Sequence, residues 1–151
     1  MSLKAKLQGD LTEAIRSKNE LRSSTIRMVL TSITNEEVAG KEARVLSDTE
    51  VVGVLTREAK KRREAAEAFT QGGATDRANR EKAEGEVIAE YLPAQLTEEE
   101  VLDLVREAIA ATGASGPSGM GLVMKYLQPK IAGRADGSVV SSAVKSALAN
   151  S

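Results

Sequence analysis

Ser47-Asp48-Thr49-Glu50-Val51-Val52-Gly53-Val54-Leu55 opens the stretch that decides the fold. A serine followed three residues later by a glutamate is a capping box: the hydroxyl takes a free N–H of the first helical turn, and the carboxylate reaches back to the serine's own N–H. Behind this start, Val51, Val52, Leu55, Ala59, Ala66 and Phe69 recur at helical spacing. One long helix is therefore expected, running toward Phe69 and stopped by Gln71-Gly72-Gly73-Ala74.

Toward the N-terminus, Leu3, Leu7, Leu11 and Ile15 recur every four residues and are expected on one buried face, behind Ser2 as cap. Asn19 reads as the cap of a second helix with Leu21, Ile26, Val29, Leu30 and Ile33 as its stripe, and Gly40 marks its end or a nearby turn. Toward the C-terminus, Asp76 is expected to start a fourth helix carrying Val87, Ile88 and Tyr91, closed by Pro93. A second capping box, Thr97 to Glu100, begins a fifth with Val101, Leu102, Val105, Ala108 and Ile109 as core, and Gly113 stops it. The loop from Gly113 to Gly119 leads to a sixth helix with Met120, Val123, Met124, Leu127 and Ile131, in which Pro129 removes a hydrogen bond and should bend or shorten the helix. Asp136-Gly137-Ser138 forms a turn and cap before a seventh, with Val139, Val140, Ala143, Val144 and Leu148 inside.

Alternating strand patterns of useful length are missing, so the fold class is all-α and multihelical. The natural boundary is Tyr91-Leu92-Pro93-Ala94-Gln95-Leu96. It divides an N-terminal helical subdomain, residues 1–94, from a C-terminal three-helix subdomain, residues 95–151. Charge density falls across it: residues 1–94 carry 16 basic and 16 acidic side chains, and residues 95–151 carry 5 and 6.

Composition narrows the chemistry. Hydrophobic residues make up 41% of the 151, enough for a packed core, but aromatics only 2%, so aliphatic side chains must fill it. Cysteine and histidine are both absent. Disulfides, thiolate nucleophiles and the commonest general base go with them, as do the usual zinc ligands. With a net charge of −1, the chain is not built to coat nucleic acid through bulk charge, so an anionic partner must be met by a local patch. Apolar runs fall short of the roughly 20 residues of a membrane span. The expectation is a cytoplasmic protein with no membrane partner and no cofactor.

Several stretches read together. They are Leu21 to Met28 (LRSSTIRM), Lys60 to Phe69 (KKRREAAEAF) and Tyr91 to Glu100 (YLPAQLTEEE), with Met120 to Lys125 (MGLVMK) and Gly133 to Gly137 (GRADG). In this combination the chain resembles the GatB/YqeY family, of the stand-alone YqeY type, over essentially its whole length. The resemblance implies an N-terminal helical bundle followed by a smaller three-helix unit, and kinship with the tail of the B subunit of the tRNA-dependent amidotransferase. In that enzyme, and in some glutaminyl-tRNA synthetases, such a domain is a tRNA-facing appendage whose chemistry lies in other domains. The implied function is a non-catalytic module that binds tRNA or a translation partner, such as an aminoacyl-tRNA synthetase or an amidotransferase. Duplex DNA is not an expected partner. The rival is amidotransferase-like activity, a carbon–nitrogen ligase with glutamine as amido donor, or an accessory role to such an enzyme. An amide transferase needs an activated nucleophile and an ATP-binding element, and neither is visible in the residues.

Two basic strips are the candidate nucleic-acid contacts. Arg57, Lys60, Lys61 and Arg63 sit on the long helix, with Arg57 and Lys61 on one face. They are either a phosphate-contacting strip or a solvated face whose cations pair with Glu58, Glu64 and Glu67; Arg62 belongs to Glu58 by spacing. Lys125, Lys130 and Arg134 form the second group, with Asp136 as a cap. The Gly113–Gly121 loop fits neither phosphate-binding fingerprint and reads as a connector or a loop touching an RNA backbone. Glu81, Glu84, Glu86 and Glu90, with Glu98 to Glu100, read as a solvated face and helix-start charges rather than a catalytic pair. Met28, Met120 and Met124 read as core filling.

Overall fold

The computed structural model describes residues 1–150. Seven α-helices are found among them, with no strand: α1 (Leu3–Arg16), α2 (Glu20–Glu37), α3 (Asp48–Gln71), α4 (Thr75–Ala89), α5 (Glu98–Thr112), α6 (Met120–Ile131) and α7 (Gly137–Ala149). A short 3-10 turn, Pro117–Gly119, precedes α6. None of the described helices is long and apolar enough to cross a membrane.

Each expected cap but one is made. Ser2, Asn19 and Asp136 accept N–H groups of their own first turns, and both capping boxes close in both directions. The exception is α4, which starts at Thr75 behind Ala74 with no side-chain cap, leaving Asp76 as a first-turn charge. There it still opposes the positive end of the helix dipole.

The chain packs as two compact units, Met1–Leu92 and a second beginning at Pro93. In the first, α3 lies most extensively against α4, and α1 against α2. Its core is aliphatic: Leu7, Ile26, Ile33, Val51, Leu55 and Ile88 are almost fully enclosed. Gly85 of α4 faces the Arg62 stem of α3, and a β-carbon there would stand 3.7 Å from the Arg62 Cβ, an ordinary contact. Polar clasps complete this unit. Tyr91 donates to Asp10 Oδ2 at 2.5 Å and accepts from Arg22 Nη2 at 2.9 Å, while Arg22 also pairs with Glu90. Burial, and then the bond to Asp10, push the Tyr91 phenol far above its ordinary range. Glu37, also buried, accepts from Lys4 Nζ at 2.7 Å and from the Leu46 N–H at 3.1 Å, holding the α2–α3 loop down.

In the second unit α5, α6 and α7 enclose Val105, Val123, Leu127, Val140, Val144 and Leu148. Pro129 lies in the last turn of α6, which runs on to Ile131. The loop before α6 is a packed turn. Gly113 and Gly116 adopt positive φ, the first as C-cap of α5, and Gly119 has no room for a β-carbon, which would meet the Ala114 Cβ at 2.7 Å.

Three residues expected inside are not. Ile15 is 52% exposed and Ala14 takes its place. A strict spacing of four drifts about 40° per step from a helix of 100° per residue, so by the fourth member the stripe has turned off the core. Leu102 and Val139 are 38% and 50% exposed, while Val101 and Val140 beside them are buried. On α3, Val54 joins the core unforeseen, whereas Val52 and Phe69 are only partly covered.

Candidate nucleic-acid interface

The capping box that starts α3 and the packing of Val51, Val54, Leu55 and Ala59 set which way its cations face. Arg57 and Lys61 are four residues apart and face one cleft of about 690 Å³ between α2 and α3, lined also by Ser32, Asn35 and Arg44. Both are engaged with carboxylates there. Arg57 Nη2 lies 2.5 Å from Glu36 Oε2, and Lys61 Nζ lies 3.4 Å from Glu58 Oε1. Glu58 is itself buried, and its Oε1 also accepts from the Ser32 hydroxyl at 3.0 Å. Arg44 pairs with Glu50 at 2.6 Å. The cleft therefore carries three cations, but their charge is already answered by neighbouring carboxylates. Lys60 and Arg63, flanking this pair on α3, engage partners as well.

Arg62 turns the other way, toward α4. Its side chain is 18% exposed, with Nε 3.1 Å from Glu81 Oε2, Nη1 3.6 Å from Glu84 Oε2 and Nη2 3.9 Å from Glu58 Oε2. The contact with Glu81 is Coulombic, because these two buried atoms do not meet at hydrogen-bond angles. The Met28 sulfur faces the same guanidinium. Glu81 and Glu84 are thus not the solvated face that their spacing implied; of the four glutamates only Glu86 on α4 and Glu90 just past its end are exposed. The pairing of Glu58 with Arg62 was readable from i, i+4 spacing, but the two α4 carboxylates arrive by tertiary packing and leave no local signature.

The second candidate group is dispersed. Lys125 is exposed on α6, with no ion pair or hydrogen bond to another described side chain. Lys130 lies 3.3 Å from Glu107 Oε1 and 5.1 Å over the Tyr126 ring, and the bond to Glu107 raises its pKa. Arg134 serves the backbone. Its Nε donates to the Ala94 carbonyl at 3.1 Å, and its own carbonyl accepts the Leu96 N–H at 2.8 Å. It ties the segment before α5 to the turn before α7; its hydrogen bonds go to carbonyls, while its charge also acts on the Glu100 carboxylate. Asp136 caps α7 through the Ser138 N–H at 2.9 Å.

The acidic residues at the start of α5 are accounted for locally. Glu100 accepts from the Thr97 backbone N–H at 3.0 Å, and this bond holds its carboxyl below the ordinary glutamate range. Among the described residues, histidine, cysteine and carboxylate side chains form no cluster that could hold a metal ion. One feature of the surface has no local signature in the sequence: an apolar groove between α5 and α7, lined by Val101, Leu102, Val105 and Val139.

The chain is similar to "Altered inheritance of mitochondria protein 41, mitochondrial" of two yeasts. It is 30% identical to the Candida glabrata protein over 57% of this chain and 47% of the relative, and 33% identical to that of Clavispora lusitaniae over 60% and 52%. The protein of that name from Pyrenophora tritici-repentis is 28% identical over 93% of this chain and 77% of its own length. The chain spans about half the length of the yeast relatives it matches. Their names carry the word mitochondrial, whereas the sequence alone pointed to the cytoplasm. The family model described as "Yqey-like protein" matches residues 4–148, nearly the whole chain, and the protein belongs to the YqeY-like family.

Proposed function

We propose that the chain is a non-catalytic helical module that binds tRNA through its phosphates, with α6 as the approach face. The observation that carries this is Lys125, an exposed cation with no side-chain partner among the described residues, in a segment that resembles the tRNA-facing tail of the amidotransferase. A phosphate reaching Lys125 displaces only water. A phosphate reaching Arg57 or Lys61 must first open a pair with Glu36 or Glu58. The α3 strip is accordingly the weaker contact. With aromatics at 2%, recognition works by shape and charge rather than by stacking on bases.

A gel-shift salt series on the whole chain tests this. Affinity for tRNA should fall with salt at a slope equal to a few phosphates, roughly −0.9 per contact on duplex regions. Lys125→Glu should weaken binding roughly tenfold, and Lys61→Glu less. Equal affinity for duplex DNA of the same length, or indifference to Lys125→Glu, would overturn the proposal. The neutralised α3 cleft favours a second reading, in which the chain assists an amidotransferase or aminoacyl-tRNA synthetase without touching RNA. Binding to such an enzyme that survives nuclease and ignores Lys125→Glu would select it.

A further inference from the structure

The groove between α5 and α7 has a volume of about 690 Å³ and an apolar floor. Leu102 and Val139 stand along it at 38% and 50% exposure, although their sequence pattern is that of core residues. Apart from Val139 and the terminal Asn150, the α7 side of the groove is lined by small side chains, Ser138, Ser142 and Ser146 with Ala143 and Ala147, which let another helix approach. The edge contributed by α5 reads Glu98, Leu102, Arg106 at intervals of four, an acid, an apolar residue and a base along about 12 Å of helix.

That order is self-complementary. A two-fold axis lying across the groove at the level of Leu102 runs each α5 antiparallel to its copy. Leu102 then meets Leu102, and Glu98 of each copy meets Arg106 of the other. Arg106 is available, because its present bond to Asp103 at 3.0 Å is an exposed i, i+3 pair of little energetic weight. We infer that this face pairs with a second copy of the chain, forming a reversible two-fold dimer through α5 and α7. The face is only two short helices wide, which places the dimer among small, transient interfaces.

Sedimentation equilibrium on the full chain, from roughly 1 µM to 1 mM, tests this. The expected result is a concentration-dependent passage from monomer to dimer. Leu102→Lys should abolish it, and Glu98→Arg and Arg106→Glu should each weaken it at least about tenfold. The double variant carrying both reversals should return to within about threefold of the native chain, because each pair is re-formed with its charges exchanged. All three positions are exposed, and unchanged circular dichroism confirms that the variants fold. A chain that stays monomeric throughout, as it would if the groove served a different protein's helix, overturns the inference. So does a dimer that tolerates Leu102→Lys, or charge reversals whose penalties add instead of cancelling.

Discussion

The two units solve the same problem, joining helices, with different chemistry. In the first, ion pairs reach into the packing: Arg62 is set among Glu58, Glu81 and Glu84, and Arg22 between Asp10, Glu90 and Tyr91. In the second, the helices meet through Val105, Val123, Leu127, Val140 and Val144, while the pairs Arg106–Asp103 and Lys130–Glu107 lie on the surface. Exposed pairs of that kind contribute little, whereas a charge removed from a half-buried set leaves its partners unanswered. Electrostatics is therefore structural in the first unit and largely free for function in the second.

The most severe test of this contrast is Arg62→Met. The stem and its packing against Gly85 are kept, but three carboxylates are left facing one another. The expected loss is about 3 kcal/mol in urea unfolding followed by signals from the first unit, with those of the second unmoved. Adding Glu81→Gln should return part of it. In the second unit the comparable fault is steric. Gly119→Ala should cost about 1–3 kcal/mol by driving a β-carbon into Ala114, whereas Gly121→Ala, with open space around it, should be neutral or gain up to about 1 kcal/mol.

Acid gives the gentlest test. Glu20, Glu37 and Glu50 in the first unit have depressed pKa values, led by the hydrogen bonds from Arg80, Lys4 and the Ser47 backbone respectively. Glu100 is the corresponding group in the second unit. A carboxyl whose folded pKa is depressed adds stability that is complete above its ordinary value near 4.5 and drains away as pH falls through the folded value. The first unit, with more of these groups, should lose amide-exchange protection at the higher pH. Simultaneous loss in both units would break the contrast.

Element by element, the fold was legible where backbone hydrogen bonding is settled locally. Ser47 with Glu50, Thr97 with Glu100, and Asn19, Ser2 and Asp136 each announce a helix start by a bond made within three residues. Legibility failed where a distant element decides. Nothing near Glu81 reveals that α3 will present Arg62 to it, and nothing near Leu102 or Val139 reveals that Val101 and Val140, rather than they, will be covered. The candidate site was half readable for the same reason. Spacing brought Arg57 and Lys61 to one face, but Glu36, which answers Arg57, comes from α2, 21 positions earlier. Arg134 looked like a surface cation because its carbonyl partners carry no side-chain signal.

The clasp between Tyr91 and Asp10 spans 81 residues, almost the full length of the first unit. A contact of such separation closes nearly the largest loop the unit contains, so it is among the slower ones to form. It also sets an order of events during synthesis. Helices α1 to α3 can be made and paired while the chain is still growing, with Lys4 already on Glu37, but the clasp on Asp10 closes only once Tyr91 has left the ribosome. By then Pro93 and the residues that begin the second unit are already following it out.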